Sequence, residues 1–391
     1  MNSPIYLDNN ATTKVAPEVF EAMRPYLAEL YGNASSMYRF GGRLGAALNT
    51  AREQTAALLG AAPEEIVFTS CGTESDATAI WSALRAQPDK RHIVTTQVEH
   101  PAVLTLCKHC GLHGYSVTFL PVDEKGLVSL DALAAALRDD TALVSMMYAN
   151  NESGVIFPVA EAAAMAGARG IPFHTDAVQA VGKIPIRLSG LPVDYLALSG
   201  HKLHAPKGIG ALYVRRGAKF RPFLLGGQQE YGRRAGTENV AFIVALGKAA
   251  ELAAARINEE NTAVRALRDR LETGLMSAIP EAVVNGDSEK RLPNTLNIAF
   301  RHIEGEAILL MLDRLGICAS SGSACASGKL EPSNVLRATG VPVTHVHGSV
   351  RFSLSRYTTQ EEIDYVVREL PPIVARLREL SPFGKGTPRT P

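Results

Sequence analysis

Apolar and polar positions along the first two thirds of the chain sort into short apolar runs separated by longer amphipathic stretches. The runs at 66–69, 92–96, 116–121, 143–148, 172–175, 194–199 and 210–214 read as strands. The stretches at 74–85, 102–112, 130–137 and 159–168 repeat apolar residues at helical spacing. Ahead of them a short strand at 5–7 enters the polar turn Asp8-Asn9-Asn10, and helices follow at about 17–30 and 43–59, the second ended by Gly60. Strand–helix alternation of this kind predicts an α/β fold with a large, mainly parallel seven-stranded sheet covered by helices on both faces. Ligands in such folds collect beyond the carboxyl ends of the strands.

After residue 240 the pattern changes. A charge-rich helical stretch runs from about 241 to 279, followed by a strand at 295–300, a helix at 304–315, a Ser/Gly-rich loop, a strand at 349–354 and a helix at 360–380. This predicts a smaller α+β domain made of 1–12 and 256–391, beside a large domain at 13–255. The tail 383–391 reads as frayed.

Composition narrows the class. With 391 residues the chain exceeds one ordinary core. Its 40 Lys and Arg nearly balance 39 Asp and Glu, which gives no signature of nucleic-acid or membrane binding. No apolar run reaches the roughly 20 residues of a membrane span, and the N-terminus lacks a basic-then-apolar leader, so a cytoplasmic protein is expected. Five cysteines, an odd number, argue against a disulfide framework.

The candidate chemistry falls at predicted strand ends. Ser199-Gly200-His201-Lys202 follows the run at 194–199. A lysine at the rim of a core is desolvated, which favours a nucleophilic amine of the kind that forms Schiff bases, including with pyridoxal phosphate (PLP). Ser70-Cys71-Gly72-Thr73-Glu74-Ser75 joins a strand to a helix and makes an anion cradle, which a plain helix cap with Thr73 would explain equally. Asp176 offers the carboxylate that a PLP ring nitrogen needs, which a helix N-cap would also explain, and His100 stands at the same end of the sheet where it would stack on such a ring, although a histidine taken alone reads as structural. Asn150-Asn151-Glu152-Ser153-Gly154 is explained by turn chemistry alone. The coincidence of polar clusters at five strand ends is what points to one phosphorylated aromatic cofactor. In the second half, Ser320-Ser321-Gly322-Ser323-Ala324-Cys325 reads as a flexible arm exposing Cys325, while Cys318 reads as a small buried hydrophobe. Arg351 lies in a strand and suits bidentate capture of a carboxylate, although on its own an edge-strand salt bridge is the better reading. Cys107-Lys108-His109-Cys110 lacks the second ligand pair of a structural zinc site.

Together these stretches, with Tyr6-Leu7-Asp8-Asn9-Asn10-Ala11-Thr12-Thr13, Val98-Glu99-His100-Pro101, His174-Thr175-Asp176-Ala177-Val178-Gln179 and Arg234-Ala235-Gly236-Thr237-Glu238-Asn239, resemble the cysteine desulfurases over essentially the whole chain. These are PLP enzymes of the class V aminotransferase-like superfamily. Phe68-Thr69-Ser70-Cys71-Gly72-Thr73-Glu74-Ser75-Asp76 and His201-Lys202-Leu203-His204-Ala205-Pro206-Lys207 look like the nitrogen-fixation branch. The resemblance implies a fold-type-I PLP-transferase and a set of roles. Lys202 would hold PLP and move protons, and Asp176 would pair with the ring nitrogen. His100 would stack on the ring and assist proton transfer, and Gln179 would bond the phenolic oxygen. Gly72, Thr73, Ser199, Gly200 and His201 would bind the phosphate end, joined by Thr237 from the second subunit of a homodimer. Asn151 would contact both cofactor and substrate, holding the substrate carboxylate with Arg351 and Asn33. Cys325, in a loop at about 317–330, would take sulfur from L-cysteine as a persulfide, leave alanine, and pass the sulfur to a NifU-like iron–sulfur scaffold protein. The resemblance also makes Cys325 a candidate transient ligand of a cluster shared with that scaffold. Two other readings stay open on the sequence: an aminotransferase of the same superfamily, and a non-catalytic sulfur-relay module.

Overall fold

A computed structural model describes residues 4–321 and 333–382. Cys325 and the tail 383–391 lie outside the described residues. Twelve strands occur among the described residues, in chain order: β1 (Ile5–Tyr6), β2 (Ile66–Thr69), β3 (His92–Thr96), β4 (Ser116–Leu120), β5 (Thr141–Ser145), β6 (Phe173–Asp176), β7 (Tyr195–Ser199), β8 (Gly210–Val214), β9 (Ala282–Val284), β10 (Thr295–Phe300), β11 (Ile317–Cys318) and β12 (Ser349–Ser353).

The large sheet has the order β2-β8-β7-β6-β5-β3-β4. Only β8 runs against its neighbours, pairing antiparallel with both β2 and β7, so the sheet is mixed and mostly parallel. Strands β2, β3, β5, β6, β7 and β8 are buried at every position, as a sheet covered on both faces requires. Two apolar clusters flank it, one holding Phe173, Leu196 and Leu246, the other Ile80, Leu143 and Tyr195. A third, separate core holds Leu7, Leu271, Phe300, Phe352 and Leu370 around the antiparallel sheet β12-β10-β9.

The N-terminal segment ties the two regions together. β1 pairs in parallel with β11, and Asp8 bridges to Ser353. Asn10 then donates through its backbone N–H to Ser353 and through Nδ2 to Thr295 (both 2.9 Å). Three residues further on, Thr13 Oγ1 donates to the His201 carbonyl at 2.9 Å. One short polar turn thus touches both sheets.

Several expected boundaries move for physical reasons. The helix expected at 17–30 is broken into Pro17–Met23 and Pro25–Ala28, because Pro25 cannot continue a helical ladder. The strand expected at 143–148 is Thr141–Ser145: beyond it Met146 and Tyr148 N–H groups still donate to the His174 and Asp176 carbonyls of β6, while the Met147 N–H, facing the other way, bonds the Glu99 carboxylate. The stretch expected as one helix at 241–279 is Val240–Glu259 and Arg265–Ala278, joined through a π-helical turn, Glu260–Val264. Strand β9 and the helices Asn334–Ala338 and Val343–Val346 carry too few apolar residues to be read from spacing. No helix among the described residues is long and apolar enough to cross a membrane.

Candidate active site

The parallel strands β2, β3, β5, β6 and β7 all end on one side of the large sheet, where a cavity of about 330 Å³ opens. Gly72, Thr73, His100, Asn151, Asp176, Gln179, Ser199, His201, Lys202 and Arg351 all line it. Gly200 lies just behind, buried, where an added Cβ would meet Ile209 Cγ2 at 2.7 Å. Thr237 and Asn33 do not line the cavity of this chain. Both are exposed, and Asn33 Oδ1 accepts from Ser35 N–H at 2.9 Å in a local turn. Thr237 follows Arg234, whose guanidinium pairs with Glu74 at 2.9 Å beside the cradle.

Lys202 sits in a single 3-10 turn, Gly200–Lys202, directly after β7. Its amine donates to the Ala11 carbonyl at 2.7 Å and to the Asn10 carbonyl. The sheet thus sets its origin, and the N-terminal turn sets where its tip lies. The cavity also receives the N-terminus of helix Gly72–Ala86, which has no side-chain cap. Uncapped N–H groups and the helix dipole favour an anion there. A Cβ on Gly72 would approach Val178 Cγ2 to 2.8 Å, so the cradle admits only glycine without a shift. Ser199 Oγ is buried at the same place with no hydrogen-bond partner, an unusual state for a hydroxyl. A phosphate would satisfy both the hydroxyl and the helix end. His201, hydrogen-bonded through Nδ1 to Thr12 at 3.1 Å, is pushed down to about 4, first by burial and then by Lys202. It is neutral at pH 7.

Asp176, at the end of β6, is one of three buried carboxyls in a layer, with Asp76 and Glu99. Burial raises all three. Glu99 reaches about 8 despite accepting from Met147 N–H at 3.0 Å and Thr96 Oγ1 at 2.8 Å, so it is protonated at pH 7. Asp76 Oδ1 lies 3.3 Å from Nε2 of His174, whose imidazole burial holds neutral, at about 3. Asp176 alone has cationic neighbours drawing it back down, namely His100 and Lys202, together with the Val178 N–H at 2.9 Å. Of the three, it is the one placed to carry charge against a protonated ring nitrogen. His100 caps helix Pro101–Leu112 with Nδ1 accepting from Ala102 N–H at 3.2 Å, and burial lowers its pKa. The ring forms one flat wall of the cavity.

The far wall belongs to the small sheet. Arg351, in β12, is 3% exposed. Its Nη1 donates to the Asn151 carbonyl at 2.9 Å and its Nη2 pairs with Asp8 at 2.7 Å, while Nε is buried without a partner. A substrate carboxylate would find an already oriented guanidinium, held on both Nη atoms by Asn151 and Asp8.

Sequence reasoning gave no role to Asn10, which is the hub of the site. Besides Ser353 and Thr295, its Nδ2 donates to the Asn151 carbonyl at 3.2 Å, and its own carbonyl accepts from Gln179 Nε2 at 2.9 Å. Asp76, Asp8 and Lys183 were likewise missed. The signal for Asn10 was three polar residues in a row immediately after a strand, which a generic turn explains as well. Cys107 and Cys110 are fully buried in the core while His109 stacks on His113 at the surface, so the apparent metal-like spacing divides between two faces of a helix. Cys318 is half-buried, not fully buried, because β11 is an edge strand two residues long. Burial, Asp313 and Asp8 raise its thiol pKa, which disfavours the reactive thiolate.

The chain is similar to known proteins over nearly its whole length. The class-V aminotransferase family model matches residues 5–366. A cysteine desulfurase from Trichormus azollae is 63% identical over 381 residues, covering 97% of this chain and 95% of its own length. The cysteine desulfurase NifS of Azotobacter vinelandii is 60% identical over 383 residues, covering 98% of this chain and 95% of its own. A solved NifS-like protein superposes with a TM-score of 0.90 at 39% identity, covering 96% of this chain and all of that one. The chain therefore belongs to the class-V aminotransferase family, whose members depend on PLP and share the fold-type-I architecture described above. Within that family it falls among the NifS-type cysteine desulfurases.

Proposed function

We propose that the chain removes sulfur from L-cysteine, releases L-alanine and carries the sulfur as a persulfide on Cys325. The observation that supports this most is the convergence of Lys202, Asp176, Ser199 and Arg351 on one cavity from two different sheets. PLP, when bound, supplies the electron sink that loosens bonds at the substrate α- and β-carbons. Lys202 holds the cofactor, Asp176 keeps its ring nitrogen protonated, and the Gly72–Thr73 cradle with Ser199 and His201 holds its phosphate. Thr237 from a second copy in a homodimer completes that end. Arg351 and Asn151 hold the substrate carboxylate and exclude substrates that lack one.

The sulfur step falls to Cys325. Its thiolate forms a bond to the substrate sulfur as the carbon–sulfur bond breaks; the electron pair stays on carbon, which takes a proton and leaves as alanine. The described residues on either side of that segment are anchored at the site. Ser320 pairs with Arg351 through the backbone, and Ser333 donates to the Glu152 carboxylate. We assign the acceptor as a NifU-like scaffold protein in the cytoplasm, serving nitrogenase iron–sulfur assembly. A Cys325→Ser variant tests the central role. It should keep the visible band of bound PLP while alanine formation drops about a hundredfold or more. Alanine formation at the parent rate would remove Cys325 from the reaction, and a requirement for a keto-acid acceptor would favour an aminotransferase instead.

A further inference from the structure

Four residues beyond Gln179 stands a buried lysine that the proposed reaction does not use. Lys183 is 6% exposed, and lysine is seldom buried without a task because its head group loses hydration. Its hydrogen bonds go to two neutral side chains: Nζ donates to Gln179 Oε1 at 2.9 Å and to Asn10 Oδ1 at 3.4 Å. Gln179 donates from Nε2 to the Asn10 carbonyl, which also accepts Lys202 Nζ. The backbone is held as well. Asn261, in the π-helical turn, donates from Nδ2 to the Lys183 carbonyl at 2.9 Å, and such turns recur at functional sites.

A glutamine amide can present oxygen or nitrogen by a half turn, and only its partners decide which. Lys183 offers hydrogens to Oε1 and the Asn10 carbonyl accepts one from Nε2, so the orientation is set from both sides. The second Nε2 hydrogen remains for the cavity that Gln179 lines. We propose that Lys183 is a positioning residue: it fixes the Gln179 amide so that its nitrogen donates to the phenolic oxygen of PLP, and thereby sets how tightly the Lys202–cofactor linkage holds its proton. This rests on the reading that places that oxygen at Gln179.

The groups facing Lys183 come from several elements. Glu260, Lys202, His204 and Arg356 line one small cavity with it, and Arg351 acts from β12. Burial first, and Lys202 next, pull its amine down to about 7 against the opposing pull of Glu260. The nitrogen carries hydrogens in both states, so it can keep donating to Oε1 on either side of neutral pH.

The experiment is a pH titration of the visible absorption band of the PLP-loaded protein, for the parent, Lys183→Met, Gln179→Leu and the double variant. Losing the donor to the phenolic oxygen makes the linkage hold its proton more tightly, so Lys183→Met should raise the midpoint by about one unit. Gln179→Leu should do the same, and Lys183→Met should add nothing on that background. Lys183→Gln, a shorter donor, serves where Lys183→Met does not fold, and should give a smaller rise in the same direction. A folded variant with lowered melting temperature and an unmoved midpoint overturns the proposal, as do additive shifts. A parent protein that shows no visible band with added PLP overturns instead the cofactor reading on which the proposal rests.

Discussion

The two walls of the cavity are made differently. The lysine wall is local: Asp176, Ser199 and Lys202 each follow directly from the end of a parallel strand, and the Gly72 cradle opens the helix after another. The arginine wall is assembled from distant parts of the chain. Arg351 reaches the Asn151 carbonyl across 200 positions of sequence and Asp8 across 343. A strand-end site follows from the topology of an α/β sheet, whereas the arginine site exists only once β12 is packed beside the N-terminal turn. The first wall therefore suits an invariable cofactor, and the second suits the part of the substrate that must be recognised.

That contrast can be broken by experiment. Lys202→Ala should abolish the visible PLP band and reduce turnover by about a thousandfold or more, since nothing else on the lysine wall replaces the amine. Arg351→Lys should lower kcat/KM for cysteine by about a hundredfold, mainly through KM, because a lysine cannot reproduce the planar fork. PLP affinity should stay within a factor of two or so of the parent, measured by cofactor titration of the apoprotein. Equal losses in both quantities would mean the two walls are one unit. Ser199→Ala should act in the opposite sense, weakening PLP binding about tenfold through loss of a charge-assisted hydrogen bond while leaving cysteine KM little changed.

The smallest effect concerns pH. His174 has a folded pKa near 3, well below the ordinary 6.5. Between those values the unfolded chain binds the proton and the folded chain does not, so the contribution is whole above pH 6.5 and declines as pH falls toward 3. From pH 6.5 to 5 this amounts to about 2 kcal/mol. His174→Gln should flatten the acid side of a melting-temperature profile, and an unchanged profile would count against the burial account of this layer.

Much of the lysine wall was legible in the sequence because each of its groups is a local feature: a polar residue where a strand stops. The predicted strands at 66–69, 92–96 and 210–214 coincide with β2, β3 and β8, each a run buried on both faces. The arginine wall was legible only through family resemblance, since a guanidinium in a strand otherwise reads as an edge salt bridge. Asn10 and Lys183 were hidden for a related reason. Their roles lie in hydrogen bonds to partners up to 343 residues away, and no spacing along the chain encodes those. The reversal of β8 was also invisible, because an antiparallel strand buried on both faces has the same apolar pattern as a parallel one.

The account turns on sulfur passing from a substrate held between the two walls to Cys325. The most direct measurement is mass spectrometry, without reductant, of the peptide containing Cys325 after the PLP-loaded protein meets one equivalent of L-cysteine. The account predicts that this peptide gains the mass of one sulfur atom as alanine appears in equal amount. Alanine without that gain, or the gain on another cysteine such as Cys318, would contradict it.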